Sequence, residues 1–243
     1  MTGMTQDKAA RPPSLLPALM HLDWQRLCGI LLFGCAMGLL EAICVVYLRR
    51  LIIPAGTDPS QALAALGHLP IERIREACTV VMLGLVAWMT APSWRSRTAH
   101  FFFMFGVWDI VYYVGLKGFT HWPTAWLEWD CLFLLPEPWH GPVLAPILIS
   151  LYLMAASCLL LACESAESTV RVSVPGFALQ LPGFLLWYGS FVKDSDRIAA
   201  QGYAGVNYSW SLFAVALVVA VLGLWLAARL GRRPRREPTT GAA

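Results

Sequence analysis

Three acids stand in surroundings where an acid is costly: Glu41 in GCAMGLLEAICVVYL, Glu76 in IERIREACTVVML and Asp109 in FGVWDIVYYVGL. An unpaired acid at mid-bilayer costs on the order of 3 kcal/mol on insertion scales, so such residues face a bundle interior and find partners there. Polar neighbours recur at helical spacing. Glu72, Arg75, Glu76 and Thr79 fall at i, i+3, i+4 and i+7, and Asp109 shares a stripe with Tyr112 and Tyr113. A carboxylate flanked by phenols and an arginine can hold a cation, relay a proton or orient a polar substrate, each through a pKa set by burial and neighbouring charge. Glu41, Arg75, Glu76, Asp109, Tyr112 and Tyr113 therefore form the candidate substrate- or ion-binding set.

Each residue also has a plainer explanation. Glu72 near a helix N-terminus complements the helix dipole without any function. Glu76 with Arg73 or Arg75, and Asp109 with Tyr112 or a neighbouring arginine, can be internal pairs that fix helix register. Glu41 stands apart, because its own helix offers no cation nearer than Arg49. His140 after Trp139 reads as an interfacial histidine, and Glu128, Asp130 and Glu137 as solvated loop charges. Asp194, Asp196 and Arg197, after the fifth span, can join the outer acidic cluster, although a simple polar joint explains them too. The chain has no G-x-S-x-G, no phosphate-cradling glycine loop and no H-E-x-x-H, so neither a catalytic residue nor a cofactor is assigned. Seven cysteines without a C-x-x-C pair and five scattered histidines give no metal-ligand pattern.

The elements that would position these residues follow from composition. With 58% apolar and only 14% charged residues over 243 positions, the chain is far more apolar than a soluble domain, in which about 25% of residues are charged. Backbone groups in lipid must pair internally, which leaves helices or closed barrels. The apolar runs lack strand alternation, so the expected fold is all-α: a polytopic membrane bundle of about six transmembrane helices. These are placed near 27–48, 71–91, 98–116, 141–163, 172–192 and 208–230, within a single domain at 27–230. Residues 1–26 form a polar N-terminal tail and 231–243 a basic C-terminal tail. Gly34 and Gly38 in the first span have the spacing that lets another helix approach closely. Asp58-Pro59-Ser60-Gln61 starts a short surface helix. WLEWDCLFLL, between the third and fourth spans, is too short to cross, so it is read as an interfacial or re-entrant segment with tryptophans at headgroup level. The span at 172–192 is interrupted by Pro175-Gly176 and Pro182-Gly183.

With six spans both termini share a side. That side, with its joints, holds eleven of the lysines and arginines against seven on the other, five of the eleven being arginines of the C-terminal stretch. The positive-inside rule then makes both termini cytoplasmic, in a membrane read as a bacterial inner membrane. At 1.5 Å per residue, Glu41 lies roughly 10 Å below Leu48, Asp109 roughly 12 Å below Lys117 and Glu76 roughly 6 Å below Glu72, all measured from the outer face. Three acids at comparable depth suggest a small-solute or ion-coupled transporter with an acidic site on that face. Two alternatives differ in class. One is a membrane-embedded enzyme on a lipid or lipid-linked substrate, the other a non-catalytic accessory subunit that pairs with a membrane protein partner. The expected partners are the bilayer and a small solute, ion or lipid; nothing points to nucleic acid.

Overall fold

A computed structural model describes residues 22–52, 70–165, 176 and 178–230. The surface helix expected after Asp58, the basic tail at 231–243, most of the N-terminal tail and Pro175 lie outside the described residues. Among those described, the elements run α1 (Trp24–Ile52), α2 (Pro70–Thr90), α3 (Trp94–Thr120), β1 (Trp129–Phe133), β2 (Trp139–Pro142), α4 (Leu144–Ser165), α5 (Gln180–Val192), α6 (Ser195–Gln201) and α7 (Trp210–Leu230). The chain is mostly helical, and α1, α3, α4 and α7 are each long and apolar enough to cross a membrane. It is an integral membrane protein by that measure. The other two expected spans differ for visible reasons. α2 carries Glu72, Arg73, Arg75 and Glu76 in its first turns. α5 has 13 residues, so it rises only about 20 Å against a hydrocarbon core of about 30 Å.

α3 is the axis of the bundle. Ser93 caps its start, accepting from Ser96 N at 3.1 Å while the Ser96 hydroxyl accepts from Ser93 N at 3.3 Å. Its end is closed by His121 in the left-handed region at φ 61°, whose N–H reaches Lys117 O at 3.0 Å. Between these caps α3 packs on α1 through Ile30, Met37, Met104, Val107 and Trp108, with Leu83 and Ala87 of α2 closing the cluster. The contact is close because Gly38 has no side chain: a Cβ there would meet Trp108 O at 2.6 Å. On another face of α3, Gly106 admits α4 in the same way, its absent Cβ lying 2.7 Å from Ser150 O. A second cluster joins α4, α5 and α7 through Ala145, Trp187, Phe191, Phe213, Ala216 and Ala220. These three helices are also tied by hydrogen bonds, since the Tyr152 hydroxyl donates to Gln180 Oε1 at 2.7 Å and Gln180 Nε2 donates to Ala220 O at 3.0 Å.

The segment expected to be interfacial or re-entrant folds as an antiparallel hairpin of β1 and β2. Trp129 pairs with Pro142, Asp130 with Gly141 and Cys131 with His140, before a register shift brings Phe133 opposite Trp139. Pro136 and Pro138 lie in the connection, where no ladder N–H is needed. The hairpin seats on one end of the bundle. It reaches α1 through Arg49, α2 through Arg73 and Glu76, α3 through Tyr113, and α5 through Phe191, which stacks on Trp139 at 5.8 Å between ring centroids.

Candidate functional site

Beneath the hairpin lies a cavity of about 70 Å³ lined by residues of α1, α2, α3 and β1. A site for one water needs about 10–15 Å³ by this measure, so several waters or one small polar ligand fit. Of the six candidates taken from the sequence, the structure brings Glu41, Arg75, Glu76, Asp109 and Tyr112 to this cavity. Tyr113 is turned away from it, as the 100° between successive helical residues requires, and binds Asp130 instead.

The ion pairs cross helices. Glu41 of α1 pairs with the Arg75 guanidinium of α2, whose Nε also donates to Glu72 Oε2 at 2.8 Å. One cation therefore serves two carboxylates. Glu41 does have a charged partner, supplied by a neighbouring helix rather than its own. Glu76 pairs with neither Arg73 nor Arg75; its two oxygens accept from Leu134 N at 2.9 and 3.1 Å, holding the end of the hairpin. Arg73 reaches the same loop, donating from Nε to Leu134 O at 3.3 Å and from Nη2 to Pro136 O. Asp109 does not bond Tyr112; it accepts from the Ser150 hydroxyl of α4 at 2.8 Å.

Asp130 requires a correction. The sequence places it among solvated loop charges, yet it is 1% exposed. Arg49 Nη2 lies 3.3 Å from its Oδ1, the Tyr113 hydroxyl donates to its Oδ2 at 3.2 Å, and Cys131 N donates to Oδ1 at 3.0 Å. Burial pushes its carboxyl up to about 6, against the downward pull of Arg49 and these two donors. Arg49 in turn lies over the Trp122 ring, 4.4 Å from its centroid. Period-two pairing of a short strand carries Asp130 inward, a direction that a loop reading could not supply. His140 is likewise buried, its Nδ1 3.1 Å from the Tyr203 hydroxyl. Glu137 does stay exposed, bonded to the Tyr188 hydroxyl, whereas Glu128 is half-buried and accepts from Thr124 N at 3.1 Å. Asp194 pairs with Lys193 at 2.9 Å and does not line the cavity.

Trp108, like Arg49 and Asp130, lines the cavity without standing among the six candidates; its indole Nε1 is buried without an acceptor among the described residues, as is Arg49 Nε. The balance around the cavity is acidic. Glu41, Glu72, Glu76, Asp109 and Asp130 face the two guanidinium groups of Arg49 and Arg75. Such a site can take up protons or a positively charged group and can donate hydrogen bonds from Trp108 and Arg49. Among the described residues, no group of three or more His, Cys, Asp or Glu side chains is arranged to hold a metal ion.

Fold and site together define a helical integral membrane protein with a polar, carboxylate-rich cavity capped by a β-hairpin. No protein family, curated protein or solved structure matches the chain.

Proposed function

We propose that the protein is a small-solute or ion-coupled carrier whose acidic site lies toward the outer face of a bacterial inner membrane, with both termini cytoplasmic. One observation carries this reading: five carboxyl groups and two guanidinium groups from three helices and a strand line one cavity. Packing alone does not call for such an excess of acid, because every carboxylate held in the bundle without a cation is a cost to folding. A carrier that loads protons or a cation uses that excess. The short α5, with Pro182 and Gly183 in its first turn, supplies the kind of interrupted helix that recurs beside transporter sites. The arginine-rich stretch after α7 favours a cytoplasmic C-terminus.

Reconstituted vesicles test the proposal. Proton flux or solute uptake is expected for the native chain, with loss in Glu76→Gln and Asp109→Asn; transport unaffected by both substitutions would remove the cavity from the mechanism. The rival reading, an enzyme acting on a lipid-linked substrate, draws on Tyr112 lining the same cavity as Glu41 and Asp109, a donor beside two candidate bases. Conversion of a labelled lipid by the purified protein, without flux, would favour it. A stoichiometric membrane partner that co-purifies, with neither activity present, would favour an accessory subunit.

A further inference from the structure

Unmet demands inside the cavity specify what it would bind. Glu76 and Asp109 line it, and among the described residues neither pairs with a cation. Trp108 lines it too, is 6% exposed, and has an indole N–H without an acceptor among the described residues. An indole N–H can only donate, so it calls for an oxygen or nitrogen acceptor. A buried carboxylate calls for a proton or a positive group. Water meets the first demand alone, and a proton the second alone. A simple ammonium ion meets the second alone, and a carboxylate ligand would add negative charge to a site already rich in it.

We propose, resting on the reading of this cavity as a solute site, that its ligand is a small amphoteric molecule carrying an ammonium group and an oxygen acceptor a few bonds apart. The ammonium group sits against Glu76 and Asp109, and the oxygen accepts from Trp108 Nε1 and Arg49 Nε. The cavity of about 70 Å³ limits the bound part to a few heavy atoms. Two sources carry this pair of groups: a free amino acid and the headgroup of an ethanolamine phospholipid.

The test is binding to the full chain in phosphatidylcholine nanodiscs, measured by calorimetry with glycine, methylammonium and acetate as probes. Glycine is expected to bind, methylammonium at least about tenfold more weakly, and acetate not at all, the tenfold being one hydrogen bond to a charged group. Trp108→Phe keeps the ring and removes the N–H. It should weaken glycine about tenfold and leave methylammonium unchanged. Glu76→Gln should weaken both. The unfolding temperature of each variant shows that it is folded. If phosphatidylethanolamine in the nanodisc raises the unfolding temperature and glycine does not, the ligand is a lipid headgroup; the reverse assigns it to a free solute. Acetate binding as well as glycine, a Trp108→Phe protein that holds glycine unchanged, or a folded protein that meets none of these ligands would overturn the proposal. Glycine binding without uptake into vesicles would overturn the carrier reading and leave this one standing. Proton flux without binding would do the opposite.

Discussion

Arg49 and Asp130 are 81 residues apart in the chain, and the guanidinium Nη2 of one lies 3.3 Å from the carboxylate Oδ1 of the other. This contact joins the end of α1 to the first strand of the hairpin and buries Asp130 almost completely. Removing one partner leaves the other charge without compensation, so Asp130→Ala should lower stability by about 3 kcal/mol. Replacing both, as Arg49→Met with Asp130→Leu, should recover much of the loss. Thermal unfolding in detergent, followed by tryptophan fluorescence, measures both. A single substitution as stable as the native protein would show that the pair does not hold the hairpin.

The same carboxyl predicts a pH dependence. Burial raises Asp130 from 3.8 to about 6, with Arg49 and two hydrogen-bond donors opposing the rise. A folded-state pKa above the unfolded one means that folding favours the protonated form. The proton-linked part of Asp130's contribution to stability is therefore fully present below about pH 4 and is lost as pH rises to about 6, while its pairing with Arg49 remains above that window. The difference in unfolding temperature between the native chain and Asp130→Asn should change across that window and stay level from pH 7 to 8. A difference that does not vary with pH would contradict the assignment.

Glu76 anchors the hairpin through the backbone of Leu134. Glu76→Ala leaves that buried N–H without an acceptor, at a cost of about 1–3 kcal/mol, whereas Glu76→Gln retains one. Amide hydrogen exchange at Leu134 should quicken markedly in the alanine variant and only slightly in the glutamine variant. Equal protection in all three proteins would remove Glu76 as the anchor.

Gly38 sets how closely α1 approaches α3, and with it how near Glu41 comes to the rest of the site. An alanine methyl there would lie 2.6 Å from Trp108 O, a backbone atom that moves only with the helix. Gly38→Ala should cost about 1–3 kcal/mol through overpacking. Gly29→Ala is the control, because its Cβ would meet nothing within 4 Å. Similar unfolding temperatures for the two variants would show that the helices separate without penalty.

Much of this architecture was legible from residues alone, for reasons that are local. Apolar runs of about 20 residues can only be helices in lipid, which accounts for α1, α3, α4 and α7. The spacing of Gly34 and Gly38 announced a close helix contact, and Val107 of α3 lies 3.0 Å from where a Gly34 Cβ would be. Acids within apolar helices had to turn inward, and Glu41, Glu76 and Asp109 line one cavity. The hairpin was less legible: a short segment of mixed aromatics and prolines has no dominant period, so its strand pairing follows from the helix ends that receive it.

Partnership was the part that sequence could not contain. Periodicity assigns a residue to a face of its own helix, but which helix lies opposite depends on how the whole bundle packs. Arg75 therefore looked like a partner for Glu76 one residue on, and it serves Glu41 and Glu72 instead. Asp130 looked solvated in a loop and is buried once the hairpin seats on Arg49 and Tyr113. Composition and hydropathic pattern alone determined a membrane-embedded helical chain with inward-facing acids. Only the tertiary structure decided which acids meet a cation, and which donor in the cavity is left without an acceptor among the described residues, because those contacts join residues that the chain holds far apart.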